Sequence, residues 1–142
     1  MGVKREDNTR EVINAINTAT NRGLQNLTND ITEEIDEGFD TGHDALGRPW
    51  TPLSPTTIRK KGHSQILVEG GTMRASLFSE VNKQEKEAEI GFKDGKIRFH
   101  EFGAPSVNLP ARPVLSPAAT YGEEVADWKF RESYTQTFEG KF

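Results

Sequence analysis

Apolar residues recur at every third or fourth position from about Thr9 to Phe39: Val12, Ile16, Ala19, Gly23, Leu27, Ile31 and Ile35. That spacing puts them on one side of a helix, with Asn, Thr, Arg and Glu elsewhere. The reading is one long amphipathic helix over about 9–39, with Gly38 as its stop. The weak helix formers in "NTATNRG" allow a kink between Asn17 and Gly23. "DTGHDALGRPWTPL" then has a loop's composition. Ser54 followed by Pro55 opens a short helix, because serine caps orphan N–H groups and proline suits the first helical position. Arg59, Lys60 and Lys61 fill its last turn, and Gly62 can adopt the left-handed cap. Another short helix, "TMRASL", follows "ILVEGG".

The period then changes to two. Leu77, Ser79 and Val81 alternate with Phe78 and Glu80. Ala88, Ile90 and Phe92 alternate with polar neighbours, as do Ile97 and Phe99 with Arg98 and His100. These predict three antiparallel strands, joined near Lys83–Lys86 and at Asp94-Gly95. "GAPSVNLPARP" is a loop holding three prolines. From about Ser116 to 132 the helical period returns, with Ala118, Tyr121, Val125 and Trp128 on one face. The last residues alternate weakly, as a strand or a loose tail. There is no internal repeat. The expected class is α+β in one domain, 1–142: a long N-terminal helix, short helices, a small antiparallel sheet of three to four strands, and a C-terminal helix.

Composition sharpens this. A chain of 142 residues can bury one core, yet 33% hydrophobic content is low for a compact domain. Part of the chain is therefore expected outside the core or against a partner. The formal charge of −4 argues against general nucleic-acid binding, which draws affinity from cations on phosphates. A surface that DNA slides past is compatible with it. No cysteine is present, so thiolate metal sites and cysteine nucleophiles are absent. "MGVKREDNTREV" has no secretory-signal pattern, and no apolar run approaches the ~18 residues of a membrane span.

Candidate chemistry is sparse. "DTG" at Asp40–Gly42 has the letters of an aspartic-protease loop, but that reaction needs two carboxylates sharing a proton, and the chain has no second copy. A loop after a helix is the plainer reading, with a dimeric hydrolase using Asp40 as a rival. Asp40, His43 and Asp44 could loosely bind a divalent ion, but such spacing is common by chance, and His43, His63 and His100 are not paired with one another at i, i+3 or i+4. No metal or cofactor is expected. Gly70-Gly71 before a helix reads as a turn more readily than an anion site. The Arg59-Lys60-Lys61 cluster reads as a solvated helix end, or as a contact with an acidic partner or with DNA. Trp50, set between Pro49 and Pro52, is either an anchor of the loop in the core or an anchor in an interface.

Three separated segments carry a family resemblance: "GRPWTPLSPTTIRKKG", "ILVEGGTMRASL" and "IRFHEFGAPSVNLPARPVL". In this order, from about Gly47 to Leu115, they resemble the virion morphogenesis or tail-completion proteins of long-tailed phages and related prokaryotic viruses. Those proteins carry G-x-x-W-x-P-L-S-P, I-L-x-x-T-G-x-L-x-x-S, H-x-F-G and P-A-R-P-F-L. Gly70 stands where the family often has threonine, Met73 where it has leucine, and Val114 where it has phenylalanine. The resemblance implies a non-enzymatic virion protein at the head–tail junction, made in the host cytoplasm. It implies a homo-oligomeric ring, commonly a hexamer, that completes the tail and joins the tail tube protein to the head connector or stopper protein. DNA would pass through a neutral or acidic lumen without specific binding, and no membrane is involved. It also implies that Trp50, Pro52 and Leu53 hold the loop after the long helix, that His100, Phe102 and Gly103 end the third strand, and that Pro110, Arg112 and Pro113 shape the loop into the last helix. The alternative function is a small nucleic-acid-binding module using the Arg59-Lys60-Lys61 cluster and Arg98.

Overall fold

The computed structural model describes residues 7–63, 66–67 and 71–139. Helix α1 (Thr9–Thr41) runs 33 residues, about 50 Å at 1.5 Å per residue. Helices α2 (Pro55–Lys61) and α3 (Thr72–Ala75) follow, then strands β1 (Leu77–Asn82) and β2 (Glu87–Phe92), α4 (Ile97–Phe102), a 3₁₀ turn (Pro105–Val107) and α5 (Leu115–Phe138). The chain is α+β, as its periodicity predicts. Among the described residues, no helix is long and apolar enough to cross a membrane.

The two long helices run antiparallel. Ser133 Oγ donates to the Ala19 carbonyl at 2.6 Å, and Tyr121 OH donates to Asp30 Oδ2 at 2.9 Å. Their seam is built from small and polar residues: Ala15, Ala19, Gly23 and Thr28 against Gly122, Ser133 and Thr137. Burial and the Asp30 hydrogen bond push the Tyr121 hydroxyl up to about 12. The low apolar content has a physical account here, since backbones close together need little side-chain volume between them. "NTATNRG" is helical without a break. Gly23 serves the packing instead, because a Cβ there would lie 2.5 Å from the Phe130 ring.

The antiparallel sheet has two strands, paired from Leu77↔Phe92 to Asn82↔Glu87. Its tip reaches back along α1, where Lys86 Nζ donates to Asn21 Oδ1 at 2.7 Å. The expected third strand over Ile97–His100 is helix α4. Four alternating residues fit one helical turn as well as a strand, and Ile97 is buried while Phe99 is 47% exposed, so the two share no buried sheet face. Asp94-Gly95 starts that helix rather than a hairpin: Asp94 Oδ1 accepts from the Lys96 amide, and the Asp94 carbonyl accepts from Ile97.

Both long helices outrun their predicted ends. Helix α1 stops at Gly42, not Gly38. Gly42 adopts φ 74° and its amide closes on the Gly38 carbonyl at 2.8 Å. Gly38 is needed for closeness: a Cβ there would meet the His43 carbonyl oxygen at 2.5 Å and Trp50 at 3.3 Å. Gly38→Ala is therefore expected to destabilise the fold by about 1–3 kcal/mol, although alanine favours helix by about 1 kcal/mol. A higher urea midpoint for the variant would contradict this.

Helix α5 continues to Phe138, where a strand or loose tail was expected. Its buried stripe passes through Ala118, Gly122, Ser133 and Thr137, and two of these are hydroxyl residues that no hydrophobic pattern reveals. That stripe leaves Trp128 58% exposed, off the face where periodicity put it.

The core gathers where α1 ends. Ile35, Phe39, Ala45, Trp50, Leu67, Met73, Ile97, Val114 and Ala118 are buried together. Phe39 sits at its centre, 6.1 Å from the Trp50 ring and 5.9 Å, edge-on, from Phe92.

Candidate assembly site

The loop after α1 is shaped by Asp44. Its Oδ1 accepts from the amides of Leu46 and Arg48, and its Oδ2 accepts from Arg48 Nε at 3.0 Å. This narrows the turn and delivers Trp50 inward, 5% exposed. The indole Nε1 donates to the Pro113 carbonyl at 2.9 Å, across 63 residues of sequence. Between the two sequence-level alternatives, the structure selects the core anchor.

Arg112 ties the same two segments from the other side. Its backbone amide donates to the His100 carbonyl at 2.6 Å. Its Nε donates to the Thr51 carbonyl at 2.7 Å and its Nη2 to that of Pro52 at 3.3 Å. The guanidinium is buried against neutral acceptors, and that burial pulls its pKa below the ordinary arginine value.

Glu101 completes the knot. One oxygen accepts from the amides of Val114 and Leu115, and the other from the amide and hydroxyl of Ser116. Four N–H groups at a helix start have no partner within the helix, and Glu101 takes three of those at the start of α5 from 13–15 residues upstream. Burial pushes its carboxyl up, but the Ser116 hydroxyl and the three amides outweigh that, so the net shift is downward. A carboxylate with a depressed folded pKa stabilises above its unfolded pKa, and the benefit is lost as pH falls through the folded value. Glu101→Gln is expected to cost about 1–2 kcal/mol at neutral pH and less in acid. Its stability curve should be flatter than the parent's below about pH 5. Parallel curves would show that Glu101 carries no cap.

The structure thus joins the W-x-P-L, H-E-F-G and P-A-R-P segments into one unit. Pro113 accepts from Trp50. Gly103 ends α4 with φ 75°, and a Cβ there would lie 2.9 Å from the Ala111 amide. His100, Phe102 and Gly103 therefore end a helix, not a strand. The His100 ring is half-buried, Leu53 and Pro110 are partly buried beside it, and Pro52 is exposed. Phe102 is 79% exposed, with Phe99 and Val107 (72%) also at the surface. Helix α2 forms as its sequence predicts, with Ser54 Oγ accepting from Thr57 N and Gly62 left-handed. Arg59 and Lys60 are exposed at its end and Lys61 is partly buried.

Glu101 and Arg74 were not singled out from sequence, and Asp44 was weighed only as a loose metal ligand beside Asp40 and His43. Asp44 had a turn signal, since an Asp side chain readily accepts from the amide two residues on and Gly47 follows at the fourth turn position. Glu101 had none, because its partners lie in another element. Arg74 on α3 pairs with Asp36 at 3.0 Å and Asp40 at 2.7 Å on α1.

That pairing also answers the "DTG" triplet. Asp40 lies in the last turn of α1, and the hydrogen bond from Arg74 holds its carboxyl below the ordinary range. A carboxylate paired with an arginine, which favours its ionised form, is poorly suited to sharing a proton with a second carboxyl. His43 Nδ1 donates to the Thr41 carbonyl at 2.8 Å, and Asp44 is committed to Arg48. Among the described residues, no group of three or more His, Cys, Asp or Glu is arranged to hold a metal ion. Gly71 adopts the left-handed conformation before α3, while Gly70 lies outside the described residues.

The fold is a long helix carrying a hairpin and a proline-rich knot, with Phe99 and Phe102 exposed beside the knot. The chain belongs to the phage virion morphogenesis family, whose match spans residues 4–131. That family is a structural one and associates the protein with the virion. No curated protein matches the chain, and no solved structure matches it.

Proposed function

We propose that the chain is a neck component at the top of the tail, forming a homo-oligomeric ring that completes the tail and joins it to the head connector, with DNA passing through its lumen. The observation carrying this reading is the knot itself. Three motif segments far apart in sequence are cross-tied by Trp50, Arg112 and Glu101 into one rigid unit, and that unit presents Phe99, Phe102 and Val107 to solvent. Large exposed apolar side chains on a pre-formed scaffold suit a surface that is covered on assembly. The net charge of −4 suits a lumen that does not grip phosphate.

The test is imaging of virion necks with the chain placed in the density, together with particles lacking the protein. The expected result is a ring between head and tail, and detached heads and tails in its absence. Mature particles without the protein, or normally joined particles after its loss, would overturn the reading. Salt-dependent binding of DNA by the purified chain would instead favour a nucleic-acid module built on Arg59, Lys60, Lys61 and Arg98.

A further inference from the structure

Helix α1 ends in a run of like charge. From Asp30 to Thr41 the sequence has six carboxylates and no cation. Asp30 pairs with Lys129, and Asp36 and Asp40 pair with Arg74. Glu33, Glu34 and Glu37 form no ion pair among the described residues. Glu33 and Glu37 stand one helical turn apart, as do Asp30 and Glu34, and like charges at that spacing repel. Partial burial first, then the charges of Glu37, Asp30 and Glu33, push the Glu34 carboxyl above its ordinary value. A helix C-terminus carries partial negative charge of its own, and the last turn of α1 holds no basic residue. Glu34 and Glu37 border a concavity of about 310 Å³ between α1 and the 43–47 turn.

A second face has the opposite character. On α4, Arg98, Phe99 and Phe102 are exposed together, with Lys96 at the helix start and Val107 in the turn that follows. The Arg98 guanidinium lies 5.1 Å from the centroid of the Phe99 ring. Lys96, Phe99 and Val107 line a concavity of about 430 Å³. Among the described residues, neither Lys96 nor Arg98 forms an ion pair. The two concavities share no lining residue.

We propose that these faces are the two halves of one contact: Lys96, Arg98, Phe99 and Phe102 of one copy dock on Glu34 and Glu37 of a second copy. This rests on the ring reading above and names the surfaces that build it. Charge complementarity selects the occupant, because one chain carries both signs on separate faces and pairs neither set within itself. Two different faces make a head-to-tail contact, and such contacts close into a ring when the rotation fits. The aromatic side chains supply affinity, since Phe102 is 79% exposed in the single chain and aromatics dominate interface cores. The charges set register and disfavour wrong pairings.

The test is sedimentation velocity on the purified full-length chain at low ionic strength, up to about 1 mM so that weak association is seen. The parent is expected to form species larger than a dimer and to fall back towards the monomer as salt screens the pairs. The double variant Glu34→Lys, Glu37→Lys and the double variant Lys96→Glu, Arg98→Glu should each associate roughly a hundredfold more weakly, because like charges then face each other. Mixing the two should restore association, since each supplies the sign that the other lacks. Circular dichroism of both should match the parent. If Glu34→Lys disturbs α1, the single variants Glu37→Lys and Arg98→Glu carry the same comparison. A parent that stays monomeric overturns the proposal, while the neck reading still stands or falls on particle imaging. A parent whose assembly is unchanged by either reversal keeps its ring but overturns these faces. An assembly that stops at two copies overturns the head-to-tail geometry. A mixture that fails to associate overturns the pairing of α4 with α1.

Discussion

Trp50→Ala should destabilise this protein by about 3–5 kcal/mol, the usual cost of deleting a large aromatic from a core. At this size that lowers the melting temperature by roughly 10 °C or more. The ring is 5% exposed, packs against Phe39 and donates to the Pro113 carbonyl. Its removal empties the centre of the core and unties the loop after α1 from the start of α5. Trp50→Phe separates the two contributions. It keeps most of the packing and leaves the Pro113 carbonyl without its donor, so the cost should fall to about 1–2 kcal/mol. Thermal and urea unfolding of the pair would decide it. Two variants equally close to the parent would mean that the side chain does not anchor the core.

Arg112→Ala should cost about 2–4 kcal/mol, mainly by leaving the Thr51 and Pro52 carbonyls without a donor and by opening a void where the side chain lay. Arg112→Lys should recover only part of this. An ammonium group is a point charge, while the guanidinium reaches two carbonyls from a fixed fork. A fully stable lysine variant would refute the two-carbonyl role. Both arginine variants should also loosen the 103–113 loop, visible as faster amide exchange there, because the Arg112 amide and side chain link α4 to the segment after Trp50. Faster exchange confined to α5 would point to a different role.

These two residues lie in segments that the sequence marked as motifs, yet it could not say what they touch. Pattern and motif located Trp50, Gly103 and Arg112, because rigid proline-flanked segments are visible without a fold. Helix α2 was legible almost to the residue, since Ser54, Pro55 and Gly62 are local signals that act within one turn. The third strand was misread because a four-residue alternation carries no information that separates a strand from a helical turn. The far end of α5 was missed because its buried positions are Ser133 and Thr137, whose hydroxyls are satisfied by α1 rather than by solvent. Trp128 was misplaced for the same reason: a helix seam made of alanine, glycine and hydroxyl residues has little hydrophobic signature.

By itself the sequence determined the α+β class, the long first helix, the hairpin over 77–92 and the capped helix at 55–61. It also carried the ordered motifs that mark the family. All of these rest on interactions between residues a few positions apart, or on a residue order that survives without knowledge of the fold. The tertiary structure decided that Trp50 points into the core, that Glu101 caps a helix 13–15 residues away, and that Arg112 bridges the two halves of the knot. It also decided that Lys61, Lys96 and Arg112 line one concavity. Each of those depends on bringing distant segments within about 3 Å, and no local pattern encodes that distance.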